Sequence, residues 1–205
     1  VMLACHLDSF FGGANDDASG IAVLVGLKRA LAAMPLTARK VDFWFVGLAG
    51  HHDEGAGMRA FAELNPSRMD DISTVILLEH LDMQPGTDSP VAPGTPPLNA
   101  RRAAYTGPNG WPDIEEALPR LVAESGLISV APPVVRECIA DLFVVCDRVQ
   151  AFSLMAAPPY YHTDHDTIDK LSEAGLQRAV DFHLRLLETA GFVDLPAETD
   201  QSSIR

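Results

Sequence analysis

Apolar and polar positions along this chain switch between two periods, and the switching predicts alternating strands and helices. Val1-Met2-Leu3-Ala4-Cys5 is an unbroken apolar run, the pattern of a strand buried on both faces, and it ends on a polar residue, His6. A glycine-rich turn follows. Ile21, Leu24, Leu27 and Leu31 then recur at helical spacing, predicting a helix over 19–34 that Pro35 stops. A second apolar run predicts a strand over 41–48, and a short helix is expected around 58–64, closed by Asn65-Pro66. A third strand is predicted at 73–79, ending on Glu79. Positions 84–112 are rich in Pro and Gly and carry no hydrophobic period, so a long loop is expected there, of the kind that walls a substrate site. Beyond it the pattern predicts a helix over 113–125, with Glu115 and Glu116 in its first turn where the helix dipole favours them. A helix near 140–147, a strand at 150–155 and an amphipathic helix over 169–190 complete the series, and a polar tail begins at Asp194. Strands alternating with helices imply an α/β three-layer sandwich: a mostly parallel, mixed sheet covered by helices on both faces. Residues 1–193 read as one domain and 194–205 as its tail.

Composition narrows the function classes. The chain has 205 residues, enough for one sizeable core, and 47% apolar content without a run of eighteen apolar residues describes a soluble globular protein with no membrane span. Acidic residues outnumber basic ones 28 to 15, for a net charge of −13, and the Lys and Arg residues are dispersed, which disfavours a nucleic acid partner. Cys5, Cys138 and Cys146 cannot all pair and show no C-x-x-C spacing; buried or unpaired thiols are the expected state, with one disulfide left open. The first apolar run has no initiator Met, signal peptide or polar lead-in, so the sequence is expected to begin inside a larger protein.

The candidate chemistry gathers where predicted strands give way to loops, the edge at which open α/β sheets place their sites. His6 and Asp8 stand two apart at a strand end and share a face, so the Asp8 carboxylate is expected to orient the His6 ring, although such a pair by itself is more often a polar strand end. Asp16 lies in the turn Gly13-Ala14-Asn15-Asp16-Asp17-Ala18-Ser19-Gly20 ahead of a helix, where its carboxylate is placed to bridge two cations; the alternative is that Asp16 or Asp17 caps the helix, with Ser19 as competitor. Tyr161-His162-Thr163-Asp164-His165-Asp166-Thr167 holds more donors than a helix cap requires, with Asp166 or Thr167 expected to begin or cap the last helix.

These residues resemble the di-zinc aminopeptidases, whose fold also hosts glutaminyl cyclases. The H-x-D strand end, the G-A-x-D-[ND]-x-S-G turn and the Y-H-T-x-x-D-T block carry the resemblance, with looser similarity at Gly57-Met58-Arg59-Ala60-Phe61 and over 141–158. The resemblance implies an aminopeptidase-like fold and one or two zinc ions, or another divalent metal. His6 would bind one metal, Asp16 would bridge both, and His162 would bind the second, with Asp8 behind His6. The acidic ligand at the end of the third strand matches Glu79 best, with Asp82 in reserve.

The departure lies after strand 41–48. Relatives place two adjacent glutamates there, a general base that takes a proton from the attacking water and a metal ligand, and the register set by Gly50 and Gly57 puts His51 and His52 at those positions. A one-residue shift would instead make His52 the base and Asp53 a ligand; the unshifted register is preferred. An imidazole is a good zinc ligand, so His52 can replace the carboxylate, with one negative charge fewer and a weaker second metal. His51 can accept a proton while neutral. His80, His165 and His183 are less compelling, and His183 reads as a packed or surface histidine. The expected function is a metal-dependent hydrolase cleaving an amide at a peptide N-terminus or in a small N-acyl compound; the alternative is a metal-binding relative, catalytically silent or repurposed for binding. The compartment and oligomeric state are not legible, and the resemblance allows a secreted or periplasmic protein.

Overall fold

The computed structural model of the protein describes residues 1–82, 102–127, 132–155, 158 and 160–196. Strand β1 (Met2–His6) is central, with β2 (Trp44–Leu48) on one side and β3 (Thr74–Leu77) on the other, all parallel. The strand β6 (Gln150–Met155) pairs parallel with β3, and the short β4 (Ala103–Tyr105) and β5 (Val134–Val135) extend the edge. The order is β2-β1-β3-β6-β4-β5, and only β4 against β6 is antiparallel. The sheet is therefore mixed and mostly parallel.

Strand alternation builds two separate cores. Val1, Leu3 and Cys5 point to one face, where they pack with Ile76, Phe152 and Leu154 under the helices α1 (Ser19–Ala33), α4 (Pro112–Ser125) and α5 (Glu173–Thr189). Met2 and Ala4 point to the other, joined by Val75, Leu77 and Ala151 beneath α2 (Ala56–Leu64), α3 (Pro66–Asp71) and the turn Ala140–Val144. This is the three-layer arrangement expected of an apolar parallel strand that must be covered twice. Among the described residues no helix is long and apolar enough to cross a membrane.

Several expectations are corrected in detail. The helix expected near 140–147 is the single turn Ala140–Val144, pinned by a disulfide between Cys138 and Cys146, while Cys5 is free and buried. Part of the expected long loop is strand β4; residues 84–101 of that loop lie outside the described residues. Neither β4 nor β5 offered enough residues to establish a period of two, so sheet pairing rather than pattern defines them. The last helix begins at Glu173, capped by the Ser172 hydroxyl, which accepts from the Gly175 N–H at 3.0 Å.

The disulfide closes a loop eight residues in sequence separation, which chain-entropy arguments value at about 2–3 kcal/mol. Reduction is expected to lower the melting temperature by roughly 5–10 °C, checked by thermal melts with and without a thiol reductant.

Candidate metal centre

The four parallel strands β2, β1, β3 and β6 point their C-terminal ends at one place, and the loops leaving them carry the polar residues gathered there. His6 ends β1, His51 and His52 follow β2, Glu79 and His80 follow β3, and His162 lies between β6 and α5. Four groups of side chains there each bring three ligand atoms within 4.8 Å of one another: His6, Asp8 and His52; His6, His51 and Glu79; Asp16, His52 and His162; Asp16, Glu79 and His80.

Asp16 is the hinge of the arrangement. Its Oδ1 lies 2.9 Å from His6 Nε2 and 3.3 Å from His80 Nε2, and its Oδ2 lies 3.3 Å from His162 Nε2, so the two oxygens face different donor sets. The local sequence explains how a buried carboxylate stays available. Asp166, itself buried, accepts from the backbone N–H groups of Asn15 at 2.7 Å and Asp16 at 3.0 Å, so the turn is held from outside. Gly13 has a φ of 56°, and a Cβ on Gly20 would collide with the Leu78 carbonyl and the Asp17 carboxylate; both positions therefore require glycine. The capping alternative resolves onto Asp17, whose Oδ1 accepts from the Gly20 N–H at 3.0 Å in the first turn of α1. Asp166 thus holds the Asp16 turn instead of capping the last helix, which begins further along the chain.

The Asp8 carboxylate does not orient His6 as expected. The His6 Nδ1 donates to the Asp8 backbone carbonyl at 2.7 Å, while the carboxylate accepts from the backbone N–H of His51 at 3.2 Å and His52 at 3.5 Å. Asp8 therefore ties the two-histidine loop to the end of β1. Because a carbonyl only accepts, Nδ1 carries the proton in a neutral His6 ring and Nε2 presents a lone pair. That lone pair faces the Asp16 carboxylate, and among the described residues His6 Nε2 has no hydrogen-bond partner of good geometry despite its closeness to Asp16.

The same holds around the cluster. Asp16 Oδ1, His52 Nε2, Glu79 Oε2, both ring nitrogens of His80 and His162 Nε2 are buried without a partner among the described residues. Carboxylates and imidazole lone pairs aimed at shared space out of water are strongly unfavourable without a cation between them. Nitrogen and oxygen donors in this ratio suit zinc. The residues present fit such an ion, and Asp16 lies between the donor groups.

The electrostatics follow from the crowding. Burial would raise the Asp16 carboxyl, but His6 and His80 hold it well below the usual carboxylate range. Asp17, buried beside Glu79 and Asp16, is pushed up. Burial lowers His52, with Asp16 opposing and the neighbouring histidines adding to it. Burial also pulls His51 down, yet its hydrogen bond to Asp141 and the nearby carboxylates outweigh this and raise it. The His51 Nδ1 lies 3.0 Å from Asp141 Oδ2, and its Nε2 lies 3.5 Å from Glu79 Oε1.

Of the sequence candidates, His6, Asp8, Asp16, His51, His52, Glu79 and His162 come together. Asp53 is exposed and outside the cluster. Asp82 is buried but turned away, accepting from Ser172 N at 2.6 Å and Ser172 Oγ at 3.0 Å. His165 is exposed, and His183 is buried with its Nδ1 donating to Ala179 O at 2.7 Å. Two residues join that sequence reasoning passed over, His80 and Asp141. The signal for His80 was its place next to Glu79 at a strand end; Asp141 carried none beyond its place in the stretch with family resemblance.

Replacing Asp166 with alanine removes both acceptors from the Asp16 turn. Zinc affinity is expected to fall about 10- to 100-fold, measured by competition with a chromophoric chelator.

A family model described as "Peptidase family M28" matches residues 1–187. No curated protein matches the chain. Among solved structures it is similar to an aminopeptidase from Aneurinibacillus sp. strain AM-1, with 21% identity, a TM-score of 0.69, and coverage of 96% of this chain and 46% of that one. It is also similar to BSAP, a zinc aminopeptidase from Bacillus subtilis, at 17% identity, a TM-score of 0.71 and coverage of 92% and 45%. A glutaminyl cyclase from Bacteroides thetaiotaomicron bound to N-acetylhistamine matches at 18% identity, a TM-score of 0.64 and coverage of 89% and 70%. At these identities the likeness shows the shared fold, and the chain spans about half the length of the two aminopeptidases.

Proposed function

The chain belongs to peptidase family M28, and on that premise we propose that it is a metal-dependent hydrolase of amide bonds at peptide N-termini or in small N-acyl compounds. The observation that carries the proposal is the set of buried, unpartnered donors converging on Asp16. His6, Asp16 and Glu79 would hold one cation, and Asp16, His52 and His162 the second. Bound there, zinc supplies a Lewis acid for the scissile carbonyl and makes an attacking water more acidic.

The remaining work falls to side chains. His51 takes the place of the usual glutamate base: its Nδ1 donates to Asp141, which fixes the tautomer and leaves Nε2 to accept a proton from water. Asp8 keeps the ring in register by holding the His51 and His52 backbone N–H groups. Burial pushes the Tyr161 hydroxyl up to about 12, so it stays protonated near neutral pH and is available as a hydrogen-bond donor. Exposed Phe10, whose ring lies 4.4 Å from His52 and 4.6 Å from His162, gives the approach an apolar wall.

A second reading is supported by one observation. His51 Nε2 also stands in a possible ligand group with His6 and Glu79. If it binds metal it cannot serve as the base, and the protein is a metal-binding relative without hydrolytic activity. Zinc-loaded protein assayed on a panel of aminoacyl anilides separates the two. Chelator-sensitive turnover supports the hydrolase; bound zinc with no turnover supports the silent relative.

A further inference from the structure

Neighbouring residues on a strand point to opposite faces, so Glu79 and His80 would not normally serve one site. Here the chain is turned. His80 has a φ of 52°, in the left-handed region that a non-glycine residue adopts only when its surroundings impose it. The surroundings do so on both sides: the fully buried Arg102 guanidinium donates to the His80 carbonyl at 2.8 Å, and the next residue's N–H, on Leu81, donates to Ser19 Oγ at 3.0 Å. The turn brings the His80 ring back beside Glu79. It is 2% exposed, lies edge-on to Tyr161, and neither ring nitrogen has a hydrogen-bond partner among the described residues. Its Nε2 faces both acidic groups, 3.3 Å from Asp16 Oδ1 and 3.7 Å from Glu79 Oε1.

We propose that His80 is a ligand of the first cation, completing a four-donor site of His6, Asp16, Glu79 and His80. This rests on the metal-dependent reading above and assigns a ligand which that reading does not contain. Donors placed tetrahedrally at zinc distances stand about 3.3 Å apart. The pairs between either imidazole and either carboxylate here stand 2.9, 3.3, 3.7 and 4.0 Å apart, scattered about that value. His51 is the rival fourth donor, grouped with His6 and Glu79, but its Nδ1 is engaged by Asp141 at 3.0 Å, whereas both ring nitrogens of His80 are without a partner among the described residues.

The consequence is a division of labour. Two imidazoles and two carboxylates close the first site and balance the charge of a divalent ion. The second site, with Asp16, His52 and His162, keeps three protein donors and an open position, and it shares its only carboxylate. Zinc therefore binds in two steps, tightly at the first site and more weakly at the second.

The test is zinc competition against a chromophoric chelator, on the wild type and on His80→Ala and His80→Gln. The tight step is expected to weaken about 100-fold in both variants, at or beyond the upper end of what loss of a partner behind a ligand produces, while the weaker step persists. Zinc-soaked crystals of the wild type give a second reading that needs no variant: anomalous density about 2.0–2.1 Å from His80 Nε2. An unchanged tight step in both variants, or an ion bound by Asp16 and Glu79 with His80 more than about 3 Å away, overturns the assignment and leaves the hydrolase reading intact. Failure of the wild type to bind zinc at all removes both.

Discussion

Asp16→Asn is expected to abolish specific zinc binding at both sites. The substitution keeps the size of the side chain and the backbone N–H groups bonded to Asp166, but an amide cannot offer an anionic oxygen to each of two cations. In the wild type, zinc held at about 1,000 times its dissociation constant stabilises the fold by about 4 kcal/mol. For a chain of this size that corresponds to a melting temperature roughly 8–16 °C above that in chelator. The variant is expected to melt at the same temperature with and without chelator. A variant that still gains the full wild-type increment would show that Asp16 is not the shared ligand.

The second large effect is on turnover. His51→Ala is expected to lower kcat by about 10²- to 10⁴-fold, the range of a lost general base, with zinc content unchanged. A ligand role for His51 predicts the opposite pairing, lost zinc along with lost rate. Asp141→Asn tests the partner: an asparagine amide favours the wrong tautomer, and a loss of about 10- to 100-fold in kcat is expected. The pH profile carries the sign. A base works while neutral, so kcat/KM falls as pH drops through the His51 pKa. The Asp141 hydrogen bond and surrounding carboxylates raise that pKa in the protein without metal, and bound cations oppose them. The acid limb is expected to disappear in His51→Ala and to move to lower pH in Asp141→Asn, because the partner that favours the charged ring is gone.

Much of this was legible from the sequence because the strands are. The unbroken apolar runs ahead of His6 and Glu79 locate buried parallel strands, and the first polar residue after each falls at the sheet edge where the site is built. The turn around Asp16 and the block around His162 were legible for a different reason, since each holds more donors than its local structure can use. What the pattern could not carry is anything set by tertiary contact. His80 looked like a bystander because adjacent strand residues diverge; only the buried Arg102, twenty-two residues further on, and Ser19, which holds Leu81 from sixty-two residues away, reverse it. Asp141 sits in a single turn too short to show a period, held by a disulfide whose pairing the cysteine spacing left open. Asp8 lies beside His6, but its two acceptors serve roles the spacing did not show, the carbonyl serving His6 and the carboxylate serving the following loop.

The central claim is that side chains from distant stretches share a cation cluster, and zinc content read together with thermal stability tests it most directly. Protein stripped with chelator, reconstituted with zinc and freed of excess is expected to retain between one and two zinc ions per chain and to recover a higher melting temperature. Zinc at background level, with the same melting temperature before and after reconstitution, would contradict the account.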